Sequence, residues 1–142
     1  LLLRELYERE LLDPIRDRVE AGAPYMGSSA GSNVAGATIG TTNDMPIVHP
    51  PAFEALGLVP FNINPHYLDP DPGSKHMGET RETRIREFHV QNPQPVVGLR
   101  EGAWLARAGD RLTLEGSRGG RLFRPDQEAE ELLPGSDLSY LL

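Results

Sequence analysis

A chain of 142 residues, 38% hydrophobic and 25% charged, has the length for one domain with a core and the composition of an ordinary soluble protein. Its net charge of −7 speaks against nucleic acid as a main partner, because phosphate binding needs clustered Lys and Arg, and the lack of cysteine excludes disulfides, thiolate metal ligands and a cysteine nucleophile. No apolar run approaches the roughly 20 residues that span a bilayer, and Leu1-Leu2-Leu3 runs at once into charge, so the expectation is a cytoplasmic protein with no membrane partner.

The chain opens on a predicted helix, with Leu2, Leu3, Leu6 and Tyr7 on one face and Arg4, Glu5, Glu8 and Arg9 on the other. Asp13-Pro14 reads as an N-cap followed by proline at the first position of a second helix, which runs through Ile15 and Val19 and stops at Gly22. Gly22-Ala23-Pro24-Tyr25-Met26 then reads as a turn entering a short buried strand. Residues 32–37 begin a small-residue helix, and Thr41 to Pro46 form a polar turn. Phe53, Leu56 and Leu58 return the chain to the core.

Val59 to Asn64 reads as a strand closed by Pro65, and Tyr67 to Gly78 as a loop. Glu79 to Gln91 is a predicted helix, supported by Glu82 and Arg86 four residues apart. Residues 95–99 form a buried strand leading into Arg100-Glu101-Gly102. Turn signals at Gly109-Asp110 and Gly119-Gly120 divide the remainder into short antiparallel strands, and the acidic stretch from Asp126 is expected on the surface. Alternating strands and helices predict an α/β fold. An opening helix, where such units open on a strand, suggests that the first strands are absent.

Between the predicted strand and the small-residue helix stands Gly27-Ser28-Ser29-Ala30-Gly31, a G-x-S-x-G pattern. A nucleophilic serine on a sharp strand-to-helix turn needs small neighbours, which Gly27 and Gly31 provide. Ala30 brings its N–H close to Ser29, in position to donate to a developing oxyanion. Such a serine needs a base. Of His49, His66, His76 and His89, His66 lies at the carboxyl end of a predicted strand, where open α/β sheets assemble their sites. The base in turn needs a carboxylate to hold its tautomer. Asp44, in a turn, and Glu101, after the strand at 96–99, are the candidates, and strand-end position favours Glu101. His66, Asp69, Asp71 and His76 form a rival metal grouping, but they lack a fixed ligand spacing and include the stiffening Pro70 and Pro72.

Three blocks closely resemble the peptidase E family of α-aspartyl dipeptidases: residues 25–35, from Tyr25-Met26-Gly27-Ser28-Ser29; residues 41–47, from Thr41-Thr42-Asn43-Asp44; and residues 61–67, Phe61-Asn62-Ile63-Asn64-Pro65-His66-Tyr67. Gly78-Glu79-Thr80-Arg81-Glu82 and Gly98-Leu99-Arg100-Glu101-Gly102 continue the match in order. The resemblance implies a class I glutamine amidotransferase-like (flavodoxin-like) fold, a mostly parallel sheet with helices on both faces. It implies cleavage of Asp-Xaa dipeptides, with Ser29 as nucleophile, His66 as base and Glu101 or Asp44 as third member. Arg81 would meet the substrate's aspartyl carboxylate, although a helix arginine here also pairs with Glu79 or Glu82. No metal or organic cofactor is implied, and a homodimer is implied only by resemblance.

Two departures stand out. Many relatives carry Trp where this chain has Ser28. The family also has an amino-terminal half with parallel strands and a glycine-rich segment that supplies the second oxyanion N–H. The expectation is therefore that residues 1–142 are the carboxyl-terminal part of a longer α/β domain whose amino-terminal segment is a necessary partner. The alternatives are a broader hydrolase on the same scaffold (cyanophycinase-like peptidase or esterase) and a catalytically silent amidotransferase-like binding domain.

Overall fold

The computed structural model describes residues 1–45, 47–71, 73 and 80–142. Helix α1 (Leu2–Glu8) buries Leu3 and Leu6, while Arg4 and Glu8 pair at 2.7 Å on its wetter side. Helix α2 (Leu12–Glu20) starts earlier than Asp13-Pro14 suggests, with Leu11 as its N-cap. The N–H of Ile15 donates to Leu11 O at 3.0 Å and closes the first turn. Pro14 thus falls among the first helical residues, whose N–H groups have no helical acceptor in any case. Gly22, at φ +102°, takes the chain away as expected.

Residues 23–28 form no strand, and Met26 is 98% exposed. The buried strand expected there is not made, because a strand is held by a neighbour's backbone ladder and no described strand pairs with this segment. Helix α3 (Ala30–Ala35) follows and packs on strand β1 (Asn62–Asn64). Strand β1 is shorter than the expected 59–64. The N–H of Val59 donates to Ala35 O at 3.3 Å, and Phe61 O accepts from the N–H of Ala37 at 3.0 Å. Those backbone groups serve the exit of α3, and residues 62–64 are left to pair.

Helix α4 (Arg81–His89) is capped by Thr80, whose hydroxyl accepts from the N–H of Thr83 at 3.1 Å. Its expected first residue, Glu79, lies outside the described residues. The predicted Glu82–Arg86 pair forms at 2.8 Å. Strand β2 (Val96–Leu99) is buried throughout and runs parallel to β1, with Asn62 opposite Val96 and Asn64 opposite Gly98. Strands β3 (Ala103–Ala108) and β4 (Arg111–Gly116) make a separate hairpin that turns at Gly109-Asp110. Strands β5 (Gly120–Phe123) and β6 (Glu130–Leu132) complete a sheet of order β1-β2-β5-β6.

The fold is α/β. Among the described residues the four-stranded sheet has one parallel pair, β1–β2, and two antiparallel pairs, β2–β5 and β5–β6. The expected predominance of parallel strands is not seen there. The acidic stretch from Asp126 keeps Asp126, Glu128, Glu130, Glu131 and Asp137 exposed, as expected, while it also supplies β6 and buries Leu132 and Leu138. Two apolar clusters matter for the site. Val59, Phe61, Ile63, Val97 and Leu99 belong to the one beneath the sheet, whereas Leu3, Leu6, Val34, Ala55 and Leu56 join α1 to α3. No helix among the described residues is long and apolar enough to cross a membrane.

Candidate active site

Ser29 stands at φ +52°, ψ −113° immediately before α3. A non-glycine residue in the left-handed half of the map is strained by roughly 1–3 kcal/mol and persists only where its surroundings enforce it. Here they do. A Cβ on Gly27 would lie 2.6 Å from the carbonyl carbon and oxygen of Gly31, so only glycine lets the two arms of the turn close. Gly31 differs from the expectation, because a Cβ there would meet only the Tyr25 hydroxyl at 3.8 Å, an ordinary contact. The Tyr25 hydroxyl donates to Gly31 O at 2.7 Å, and Ser32 Oγ donates to Gly27 O at 3.2 Å. Ser29 itself is exposed. Ala30 is the first residue of α3, so its N–H is among the donors that a helix leaves unpaired.

His66 and Glu101 each stand two residues beyond a strand, β1 and β2 respectively. Because those strands are parallel neighbours, both side chains arise at the same edge of the sheet, the carboxyl edge. There Glu101 Oε1 is hydrogen-bonded to His66 Nδ1. His66 also has a positive φ, +56°. Its flanks are tied down, since Pro65 O accepts from Asn43 Nδ2 at 3.2 Å and the N–H of Tyr67 donates to Leu99 O at 2.8 Å. Ser29, His66 and Glu101 all line one open cleft of about 1310 Å³, with Met26 and Trp104 on its walls.

The other candidates sit elsewhere. Asp44 is exposed in its turn, where its N–H donates to Thr42 Oγ1 at 3.4 Å, and it does not line the cleft. Asn64 Nδ2 fixes that turn behind β1 through Thr41 O at 2.7 Å and Asn43 Oδ1 at 3.0 Å. Arg81 opens α4, half-buried, and is not among the cleft's described lining residues. His49 stacks on Phe53, and His89 Nε2 lies 3.0 Å from Gln94 O. Of the metal grouping, His66 meets Glu101, Asp69 meets Arg100, and His76 lies outside the described residues.

Sequence reasoning passed over Tyr25 and Arg100. Arg100 is bidentate to Asp69, Nε to Oδ2 at 2.8 Å and Nη2 to Oδ1 at 2.7 Å, and it also reaches Glu131 Oε1 at 2.5 Å and Oε2 at 3.0 Å. Hydrogen bonds from Arg100 hold the Asp69 carboxyl below its ordinary range, and the same partners raise the guanidinium. Burial pushes the Tyr25 and Tyr67 hydroxyls up. The available signal for Arg100 was its place directly before Glu101 at the end of a strand; its partners lie 31 residues away on either side.

The sequence model of peptidase family S51 matches residues 1–115. Peptidase E of Streptomyces coelicolor is 60% identical over 141 residues, 99% of this chain and 58% of that protein. The probable alpha-aspartyl dipeptidase of Drosophila melanogaster is 57% identical over 143 residues, 100% of this chain and 60% of that protein. Peptidase E of Shewanella amazonensis is 54% identical over 143 residues, again 99% of this chain and 60% of the relative. The chain thus spans about three fifths of the length of the curated relatives it matches. With a family match across most of its length, joined to a strained serine turn and a paired His66 and Glu101 on one cleft, the chain belongs to peptidase family S51.

Proposed function

We propose that the protein is a serine peptidase that hydrolyses dipeptides with a free amino-terminal aspartate, and that this chain carries its nucleophile and base. The observation that carries the proposal is the hydrogen bond between His66 Nδ1 and Glu101 Oε1, which accepts it, on the cleft that Ser29 lines. A carboxylate on Nδ1 fixes the tautomer that leaves Nε2 as the basic nitrogen. The name of the Drosophila relative, probable alpha-aspartyl dipeptidase, supports the substrate class.

In the proposed reaction Ser29 Oγ attacks the scissile carbonyl carbon as its proton passes to His66 Nε2. The carbonyl oxygen becomes an oxyanion, and the N–H of Ala30 donates to it. His66 then protonates the leaving amine as the C–N bond breaks, leaving aspartate esterified to Ser29. Water, deprotonated by His66, attacks that ester and releases aspartate. Glu101 stabilises the imidazolium in both halves. By resemblance Arg81, which opens α4 outside the cleft's described lining, is assigned the cation for the aspartyl side chain, a charge that a chain of net −7 needs locally.

We further infer a class I glutamine amidotransferase-like fold, supported by the parallel β1–β2 pair with both site residues at its carboxyl edge. In this arrangement the second oxyanion donor and the remaining parallel strands come from the portion of the relatives' length that the chain does not match. The test uses the polypeptide expressed from the complete reading frame. Purified protein is expected to cleave Asp-Leu and to lose that activity in Ser29→Ala. Efficient cleavage of simple esters with none of Asp-Leu would sink the proposal, as would retained dipeptidase activity in Ser29→Ala.

A further inference from the structure

His66 is about half exposed and Glu101 more so, at 49% and 75% of side-chain surface, so packing around their own side chains does little to hold them. What restrains them lies one residue away along the chain: Tyr67 beyond His66, and Arg100 between β2 and Glu101. Tyr67, next to His66, is 1% exposed, donates its N–H to Leu99 O, and lays its ring where a Cβ on Gly98 would come within 2.9 Å. Asp69, two residues further on, takes both forks of the Arg100 guanidinium. Arg100, next to Glu101, has only 19% of its side chain exposed and lies 6.0 Å from the Tyr67 ring centroid. Glu131 holds the same guanidinium from β6, where it stands opposite Arg121 in the ladder.

The chain of contacts therefore runs from the rigid sheet through Glu131 to Arg100, and from Arg100 to the loop that bears His66. Only one backbone step separates Arg100 from Glu101. An ordinary exposed ion pair contributes little, but a planar fork held by two carboxylates fixes direction as well as distance. Lysine in its place would keep the charge and lose the plane.

We propose that Arg100 and Asp69 are positioning residues that set the His66–Glu101 geometry, and thereby the imidazole tautomer presented to Ser29. This rests on the serine-peptidase proposal for its kinetic consequence, though not for its structural one. A base displaced by even a fraction of an ångström from its productive place loses rate without losing substrate affinity.

The test compares Asp69→Asn, Arg100→Lys and Arg100→Gln with the parent, all from the complete reading frame. Arg124→Gln, which breaks the 3.2 Å Arg124–Glu130 pair elsewhere on the same sheet, is the control. Turnover of Asp-Leu is expected to fall roughly 10- to 100-fold in the three clamp variants, with KM within about two-fold of the parent, and to hold in the control. Ring ¹⁵N shifts of labelled His66 should show the Nδ1–H tautomer in the parent and a shift toward Nε2–H in the clamp variants. Unchanged turnover and tautomer in Asp69→Asn and Arg100→Lys would overturn the proposal. So would losses that merely track the fraction of folded protein, as circular dichroism reports it. The tautomer readout needs no substrate. A parent that leaves Asp-Leu uncleaved therefore overturns the peptidase proposal alone, and the clamp still stands or falls on the ring shifts.

Discussion

The hydroxyl of Tyr25 donates to the carbonyl of Gly31 at 2.7 Å, bridging the segment before Ser29 to the helix after it. That bond spans the strained residue, so it helps to hold Ser29 at φ +52°. Tyr25→Phe keeps the ring and removes the bond. It is expected to lower stability by about 1 kcal/mol and to reduce turnover of Asp-Leu further than that loss of folded protein explains. Thermal melts beside kcat measurements check it. Equal kcat in parent and variant would show that Gly27 alone sets the turn.

The two glycines of the serine turn should behave differently. Gly27→Ala places a Cβ 2.6 Å from the Gly31 backbone, so the turn must open and Ser29 must move. The expected outcome is near-complete loss of activity in a protein that still folds through its sheet. Gly31→Ala meets only the Tyr25 hydroxyl at 3.8 Å and adds a better helix former, so activity within about five-fold of the parent is expected. Equal losses at both positions would contradict this account of the turn.

Glu101 and Asp44 give the sharpest contrast. Glu101→Gln leaves shape but removes the charge beside His66 Nδ1, and turnover should fall by about 10⁴, the scale seen when a serine protease triad loses its carboxylate. Asp44→Asn touches a side chain that does not line the cleft, and a change below about five-fold is expected. Steady-state kinetics on both, with matched circular dichroism, decide the assignment.

Acid should loosen the clamp on the His66 loop. Arg100 lowers the Asp69 pKa below its ordinary value of 3.8, so the unfolded chain binds a proton at a higher pH than the folded one does. The resulting stability is fully present above the ordinary value and is lost as pH falls through the depressed folded one. Asp69→Asn should therefore lower Tm near neutrality, and the gap from the parent should close as pH drops below 3.8. Melts across that range test the sign. Asp69 is half exposed, so the gap should be small and should shrink with salt.

Much of the local structure was legible because its signals are local. The spacing of Leu3 and Leu6, the Glu82–Arg86 pair and the Gly109-Asp110 turn each act within a few residues, and each element formed where expected. Misses occurred where a distant backbone decided the outcome. Val59 and Phe61 have strand-like composition but give their backbone groups to Ala35 and Ala37, which no periodicity reveals. Residues 23–28 look like a strand and pair with no described one. Leu132 and Leu138 are buried amid acidic residues because β6 pairs with β5 and the N–H of Leu138 donates to Leu112 O at 2.8 Å, which brings both into the same apolar cluster. Within the site, the serine turn and the strand-end histidine could be read from residue types. The choice between Asp44 and Glu101 rested on strand-end position until the parallel register of β1 and β2 put Glu101 against His66.

Ser29 and His66 are mounted on different cores. Helix α3 hangs from the cluster of Leu3, Leu6, Val34 and Leu56, whereas β1 and β2 rise from the cluster of Phe61, Ile63, Val97 and Leu99. Where the two bodies meet, a Cβ on Gly36 would lie 2.8 Å from Phe61 O, and Asn62 Oδ1 accepts from the N–H of Thr38 at 3.1 Å. That seam, where α3 packs on β1, sets the spacing between the element that carries Ser29 and the strand that leads to His66. Its thickness is one missing methyl group, and a side chain added there would pull the reacting groups apart without touching either of them.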